Sequence, residues 1–227
     1  MSHLDEAFDV DSADRLGADG FVVLDGWLGD EHAHALHAEL LSLRERGRFA
    51  PSRVGHGAKR RGAPDVRSDL VCWFDVDVDD DGDPGDDDDD DDGDDGDGDG
   101  RRGIRPGPQV RRFFSRLVGL RARLNATCFL SLTRIECHAA CYETGAAYQA
   151  HLDAFAADDR RVISFSHYLN EGWTADDGGC LRMHGKAARD VEPVFDRLVI
   201  FQSRTMLHEV LPVSRRRFSS TGWMSAR

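Results

Sequence analysis

The sequence predicts a mainly β domain with flanking helices, in which helices of the N-terminal half support a jelly-roll core. Two observations predict this fold. Apolar residues recur at helical spacing only before Cys128, and beyond it short apolar runs alternate with turns such as Asn170-Glu-Gly and Asp177-Gly-Gly. Helices segregated from a run of short strands are typical of a double-sheet core with helices packed outside. At 227 residues the chain has the length of one domain, which we assign to residues 1–227.

The N-terminal half contains the predicted helices and two isolated strands. Residues 1–20 are expected to form a short helical lead-in, and the apolar runs at 20–24 and 69–74 predict strands. Two longer amphipathic helices are predicted from apolar residues on one helical face, namely Ala33, Leu36, Leu40 and Leu43 in the first and Val110, Phe113, Phe114, Leu117, Leu120 and Leu124 in the second.

One insert carries the negative charge of the chain. Between Asp75 and Asp99 there are 17 aspartates and no other charged residue, so a formal net charge of −13 for the whole chain leaves +4 for the rest. A polyanion of this composition repels itself and buries little apolar surface. We therefore predict a disordered poly-Asp insert at about residues 75–100.

The start of this insert resembles a calcium-binding loop because aspartates alternate from Asp75 to Asp79. An EF-hand loop requires glycine at its sixth position and glutamate at its twelfth, where this chain has Asp80 and Asp86. No amphipathic helices flank the run, so the sequence favours a solvated polyanion over a specific calcium site.

Several classes of protein are disfavoured by composition. No apolar run approaches the roughly 18 residues that a membrane span needs, and the N-terminus lacks the apolar core of a signal peptide. The basic residues form no cluster interleaved with aromatics, which argues against nucleic-acid binding. Five cysteines without CxxC spacing are typical of reduced thiols. We therefore expect a cytoplasmic protein without a membrane or nucleic-acid partner, and the sequence leaves its oligomeric state open.

A His-x-Asp pair, His151 and Asp153, is the strongest chemical motif of the chain. On a β-strand, residues i and i+2 point to the same face, so the imidazole and the carboxylate would converge. His208 is the candidate for a third ligand because it follows an apolar strand and lies 57 residues after His151, far enough for several intervening strands. Two histidines and one carboxylate form the facial triad that is typical of non-haem Fe(II) oxygenases.

His167 and His184 compete with His208 for the third position. On the predicted strand 162–169, alternation places His167 on a bulky apolar face. The opposite face carries Ser164, Ser166 and Tyr168. A small polar face suits a cavity, so we expect His167 to be structural, and His184 stays open as an alternative.

Arg217 is the candidate anchor for an anionic co-substrate. A buried arginine binds the distal carboxylate of 2-oxoglutarate well because the guanidinium fork matches a carboxylate bidentately. Arg217 follows His208 by nine residues and would share a strand face with Ser219, Thr221 and Trp223. Arg215 and Arg216 flank it, so position alone leaves the choice among the three open.

Further motifs occur in a fixed order along the chain. They are Asp19-Gly-Phe-Val-Val-Leu-Asp25, Val66-Arg-Ser-Asp69 with Trp73, Ala140-Cys-Tyr through His151-Leu-Asp153, Tyr168-Leu-Asn170, Glu192-Pro-Val-Phe-Asp-Arg-Leu198 and His208-Glu-Val-Leu-Pro212. This ordered set resembles the Fe(II)/2-oxoglutarate-dependent prolyl 4-hydroxylases, especially the oxygen-sensing type and its microbial relatives. The resemblance covers most of the chain apart from the acidic insert.

The resemblance implies a double-stranded β-helix (a cupin-like jelly roll) and assigns site residues by matching position. Iron would be bound by His151, Asp153 and His208. The C5 carboxylate of 2-oxoglutarate would be bound by Arg217, supported by Tyr168 and Thr221. The pocket near the metal would be lined by Tyr142 and Tyr148, with Leu181 and Trp223 packed around it. Residues 50–67 would form a mobile loop that closes over a prolyl substrate.

The resemblance also implies an activity. The chain would couple oxidative decarboxylation of 2-oxoglutarate by O2, giving succinate and CO2, to hydroxylation of a proline in a protein, with Fe(II) as the metal and ascorbate as reductant. Two alternatives are a 2-oxoglutarate-dependent hydroxylase of a free amino acid or other small molecule, and a non-catalytic metal-binding interaction module. Two departures from the family pattern are a Tyr142–His151 spacing one residue shorter than in the animal enzymes and the position of Arg217 in a triple-arginine run.

Overall fold

The computed structural model describes residues 8–54, 62–75, 103–154 and 160–226. After Asp75, the predicted disordered insert lies outside the described residues. The helices in the described part are α1 (Val10–Asp19), α2 (Asp30–Glu45) and α3 (Pro108–Cys128). The strands are β1 (Phe21–Asp25), β2 (Ala50–Pro51), β3 (Leu70–Trp73), β4 (Leu132–Tyr142), β5 (Tyr148–His151), β6 (Arg161–Tyr168), β7 (Leu181–His184), β8 (Ala188–Val191), β9 (Arg197–Gln202), β10 (Leu207–Val210) and β11 (Arg217–Ala226). No helix among the described residues is long and apolar enough to cross a membrane.

Two antiparallel sheets confirm the predicted mainly β architecture. The larger sheet has the strand order β1-β9-β6-β11-β4-β3-β2, and the smaller sheet has the order β5-β10-β7-β8. Strand β11, at the end of the chain, pairs with both β4 and β6 in the middle of the larger sheet. Such pairing between strands that are distant in sequence is the connectivity of a jelly roll, in which two sheets face each other across a core.

Strand β4 separates two apolar layers. One of its faces carries Cys137, Ala139 and Cys141, which belong to the core formed with the three helices. The other face carries Ala140 and Tyr142, which pack with Leu181 and Met183 of the smaller sheet. Because side chains alternate along a strand, the same strand supports the helical layer and lines the space between the sheets.

His167 lies on the helix-facing side of β6, as strand alternation predicts. Its Nε2 lies 2.8 Å from Oδ1 of Asp196, and the imidazole packs against two aromatic rings. The Asp196 carboxylate also accepts the backbone N–H groups of Leu28 and Gly29, where α2 begins. This buried cluster ties strand β6 and the turn before β9 to the start of helix α2.

The segment 50–67 is paired at both ends. Ala50 and Pro51 form strand β2 against β3, and Arg67 forms an isolated antiparallel bridge with Tyr148. Backbone pairing therefore joins both ends of the expected mobile loop to neighbouring strands, and its mobility stays a prediction. Residues 55–61, at the centre of that expected loop, lie outside the described residues.

Candidate active site

Strands β5 and β10 of the smaller sheet bring the three predicted metal ligands together. His208 pairs in register with His151, and the centroids of the two imidazole rings are 4.3 Å apart. Asp153 Oδ1 lies 3.5 Å from His151 Nε2, and its Oδ2 lies 3.6 Å from His208 Nε2. One ligand atom from each residue lies within 4.8 Å of the others. Asp153 lies in the bend after β5 and not on the strand, so this bend, and not strand alternation, aims its carboxylate.

Both imidazoles are oriented by backbone carbonyls. His151 Nδ1 lies 2.8 Å from the carbonyl oxygen of Gln149, and His208 Nδ1 lies 3.0 Å from that of Met206. A carbonyl oxygen only accepts, so each Nδ1 carries the proton and each Nε2 keeps its lone pair. This is the arrangement of histidines that ligate metals, in which the second ring nitrogen donates to a protein acceptor.

The environment of Asp153 keeps it in the form that binds a cation. Burial opposes its ionisation, but His208, His151 and a hydrogen bond from Ser164 together hold the pKa of the carboxyl well below its ordinary value. Ser164 Oγ donates to Oδ2 at 2.7 Å. Burial also lowers the pKa of His208, which favours the neutral imidazole. A deprotonated carboxylate beside the neutral imidazole of His208 matches the requirements of a bound metal.

His184, the competing histidine, does not join the triad. It lies on β7, where its Nε2 is 3.0 Å from Oε1 of Glu209. Among the described residues, His151, Asp153 and His208 therefore present two nitrogens and one oxygen on one face. All three residues line the cavity. This donor set, open to a cavity, fits a non-haem Fe(II) ion.

Arg217 lines the same cavity and lies six residues along β11 from Trp223, the register partner of Ser164, which donates to Asp153. Its side chain is 1% exposed, and its guanidinium carbon lies 5.0 Å from the ring centroid of Tyr142 and 4.8 Å from that of Tyr168. Within the described residues no carboxylate pairs with Arg217, and its Nε is buried without a hydrogen-bond partner. A buried cation without a counter-ion is costly. The site therefore fits an anionic ligand, such as the distal carboxylate of 2-oxoglutarate.

The other two arginines of the triple run point elsewhere. Arg215 Nε lies 3.0 Å from Oδ1 of Asp177, and Arg216 Nε lies 3.0 Å from Oε2 of Glu143. Both pairs are on the outside of the domain. Of the three neighbours, Arg217 is the one that lines the cavity.

The cavity has a volume of about 480 Å3 including its mouth, and all but one of the predicted pocket residues line it. The lining includes Tyr142, Tyr148, Leu181, Arg217, Thr221 and Trp223. Tyr168 is fully buried behind this lining, against Arg217. Thr221 lies four residues from Arg217 along β11, and its hydroxyl donates to the carbonyl of Phe165 at 2.8 Å. Its hydroxyl hydrogen is thus held by the backbone, and the support of Arg217 that the resemblance implies for Thr221 stays a prediction.

Tyr148 and Arg67 form a layer over the metal face. The Tyr148 ring stacks on His151 with centroids 3.7 Å apart, and Arg67 lies over the Tyr148 ring at 4.7 Å. Arg67 donates bidentately to Asp69 at 2.6 and 2.8 Å. Burial raises the pKa of Tyr148 to about 12, so the phenol stays neutral at physiological pH. The Arg-x-Asp motif is visible in the sequence, but its place at the site depends on the bridge between Arg67 and Tyr148.

Further residues of the cavity and around the metal ligands were not predicted, among them His138, Ser164 and Ser166. His138 and Ser166 line the cavity, and Ser164 positions the carboxylate of Asp153. The alternation that placed Ser164 and Ser166 with Tyr168 was a usable signal for the two serines. The same alternation along β4 aligns His138 with Ala140 and Tyr142, but the sequence does not show which strands lie beside β4.

Comparison with known proteins agrees with this geometry. Residues 137–225 match the model of the 2OG-Fe(II) oxygenase superfamily. The chain is 33% identical to a prolyl-4-hydroxylase from Pseudomonas putida, with a TM-score of 0.75, and the match covers 96% of this chain and 98% of that one. A prolyl hydroxylase from Trichoplax adhaerens, solved with a hypoxia-inducible factor peptide, shares the fold at 24% identity and a TM-score of 0.75, covering 94% of this chain and 87% of that one.

Curated relatives are longer than this chain. The hypoxia-inducible factor prolyl hydroxylase of Caenorhabditis elegans is 30% identical over 90% of this chain, which spans 26% of that relative. Egl nine homolog 1 of Rattus norvegicus is 29% identical over 90% of this chain, which spans 54% of that relative. The full-length match to the bacterial structure, the superfamily match and the triad lead to one assignment: the chain belongs to the 2OG-Fe(II) oxygenase superfamily and, within it, to the prolyl 4-hydroxylase family.

Proposed function

We propose that this chain is an Fe(II)- and 2-oxoglutarate-dependent prolyl 4-hydroxylase that acts on a proline in a protein or peptide. One observation carries the proposal. A facial triad and a buried arginine without a counter-ion line a single cavity. A metal-binding triad and an unpaired arginine in one cavity match a dicarboxylate. One end of it would bind the arginine and the other end would bind the metal.

Different residues would hold the metal ion and 2-oxoglutarate. The ion would be held by His151, Asp153 and His208, each fixed by a hydrogen bond. Arg217 would bind the distal carboxylate of 2-oxoglutarate, with Tyr168 packed against the guanidinium. When bound, iron and 2-oxoglutarate supply the oxidising chemistry, in which O2 is consumed, succinate and CO2 are released and a C–H bond becomes C–OH. The protein contributes orientation, since a co-substrate displaced from Arg217 would lose alignment with the metal.

A stacked layer covers one side of the metal face, and the similarity to prolyl hydroxylases supports a prolyl substrate. Tyr148 covers the face of His151, and Arg67 covers Tyr148, so the metal face is shielded on that side by a stacked layer. A layer of this kind excludes water from that side of the site. The names of the Pseudomonas putida and Caenorhabditis elegans relatives favour a prolyl substrate over a free small molecule.

Two further parts of the proposal concern the setting of the reaction. Ascorbate serves as the reductant that keeps the iron ferrous. The enzyme works in the cytoplasm, a reducing compartment that suits its five free cysteines.

Two measurements test the proposed function. Purified protein supplied with Fe(II), 2-oxoglutarate and O2 should release succinate, and His151→Ala should release none. Mass spectrometry of a proline-containing peptide library should then show the gain of one oxygen on a proline. Absence of succinate from the wild type would exclude the oxygenase, whereas oxidation of free amino acids alone would exclude the protein substrate.

A further inference from the structure

We propose that His138 is a further binding residue for 2-oxoglutarate and contacts the half of the co-substrate that lies next to the metal. The proposal rests on the proposed function and adds one side chain to the same cavity. His138 is 1% exposed, lies on β4 and lines the cavity. It is not a member of the metal triad, so a different role must account for an imidazole in this wall.

Backbone pairing orders the inward-facing residues of the larger sheet into four rows. From the anchor to the metal, the rows are Tyr142–Arg217, Ala140–Ser219–Tyr168, His138–Thr221–Ser166 and Glu136–Trp223–Ser164. Arg217 occupies the first row, and the fourth contains Ser164, which donates to the metal-ligand candidate Asp153. A ligand that reaches from Arg217 to the metal must therefore run past the third row. That row lies beside the half of the ligand that is nearer to the metal.

Two indole rings fix the imidazole in that row. The ring centroid of His138 lies 4.3 Å from that of Trp73 and 5.5 Å from that of Trp223, and the two indoles are 6.0 Å apart. Trp73 is also the register partner of His138 on β3. Packed rings restrict rotation, so little side-chain entropy is lost when a ligand binds. The apolar surroundings also strengthen any hydrogen bond that the imidazole makes.

His138 supplies a donor in the third row, beside the Ser166 hydroxyl. The hydroxyl hydrogen of Thr221, its neighbour in the row, is already donated to the carbonyl of Phe165. The carboxylate and keto oxygens of 2-oxoglutarate are acceptors only, and a neutral imidazole carries one N–H. The geometry therefore pairs an imidazole N–H of His138 with the carboxylate of the co-substrate that lies beside the metal.

The test measures binding by calorimetry and does not depend on turnover. Protein loaded with Mn(II), which accepts the same nitrogen and oxygen donors, is titrated with 2-oxoglutarate. His138→Phe keeps an aromatic ring but removes the N–H, and it should weaken binding by about tenfold or more, the loss of one hydrogen bond to a charged group. His138→Gln places an amide N–H near the position of the imidazole Nε2 and should stay within about threefold of wild type. Mn(II) affinity should be the same in all three proteins.

The outcomes separate this proposal from the proposed function. If wild-type protein with Mn(II) binds no 2-oxoglutarate, both are wrong. If wild type binds it and His138→Phe binds equally well, the proposed function stands and the role of His138 is refuted. Parallel loss of Mn(II) affinity, or a His138→Gln variant as weak as His138→Phe, would also refute it, because the effect would then come from the metal site or from packing.

Discussion

The guanidinium of Arg161 lies over the indole of Trp223, with its central carbon 3.5 Å from the ring centroid, while its Nη1 donates to the backbone carbonyl of Asp153 at 3.2 Å. Its Nη2 donates to Oε2 of Glu136 at 3.1 Å. One buried arginine therefore links a metal-ligand candidate to an aromatic wall of the cavity. Cation–π contacts of desolvated arginines are among the stronger ones, which makes this link rigid.

Arg161→Gln should loosen the metal site without removing a ligand. Outer contacts that orient metal ligands typically contribute about 10- to 100-fold in metal affinity, and the lower end is expected here because the contact is to the backbone of Asp153. Arg134→Gln is the matched control, since Arg134 reaches the same Glu136 at 3.9 Å but is 64% exposed. Mn(II) affinity, measured by calorimetry, should fall in the first variant alone. Equal affinities would mean that Arg161 does not position Asp153.

Arg217→Met should weaken the binding of 2-oxoglutarate without lowering the thermal stability of the ligand-free protein. The substitution removes a buried charge that has no counter-ion among the described residues, so the melting temperature of the ligand-free protein should hold or rise. The affinity for 2-oxoglutarate should fall by about 10- to 150-fold, since a charge-assisted hydrogen bond contributes about 1.5–3 kcal/mol. Calorimetry and thermal denaturation measure the two quantities on the same samples.

Arg216→Met is the control for that prediction. Arg216 pairs with Glu143 on the outside of the domain, so its loss should change neither the affinity for 2-oxoglutarate nor the metal affinity. If both variants lose the co-substrate equally, Arg217 is not its anchor.

Local patterns in the sequence were enough to predict the helices, the β-rich half and the members of the triad. Strand alternation placed His167 on the helix-facing side because a period of two depends only on neighbouring residues. It could not place Asp153, which a bend aims from beyond the end of β5. It also could not find the contacts of His138 or Arg161, because these depend on β3, β4, β6 and β11 lying side by side, and pairing over such sequence distances is not encoded in any single segment.

The stability of the metal-free protein should depend on pH through His167. Burial lowers the pKa of this imidazole below its ordinary value of 6.5, although the hydrogen bond with Asp196 opposes the shift. The unfolded chain therefore takes up a proton at higher pH than the folded one. The free energy of unfolding should be unaffected by His167 above about pH 6.5 and should fall as the pH drops below it.

His167→Gln isolates this contribution, since a glutamine amide can still donate to Asp196 but does not titrate. The variant should be less stable than wild type by about 1 kcal/mol near neutral pH, the scale of one imperfectly replaced buried hydrogen bond. That gap should narrow as the pH falls. Urea denaturation with a chelator present measures both proteins, and other buried histidines such as His208 cancel in the difference. A gap that is constant with pH would contradict the prediction.

Replacing residues 76–102 with a short linker should preserve the fold and the metal site. The flanks of this segment are already joined: Phe74 and Ile104 form a parallel bridge, and Ile104 exchanges backbone hydrogen bonds with Asp75 and Trp73 at 3.0 and 2.9 Å. A Gly/Ser linker of about eight residues can span such adjacent ends. Shortening the loop should stabilise the protein by about 1 kcal/mol through a smaller closure entropy.

Thermal denaturation and Mn(II) calorimetry measure the stability and the metal affinity of the linker variant. A full-length variant that replaces the aspartates by serine is the control for charge. Loss of folding in the linker variant alone would show that the segment contributes to the domain.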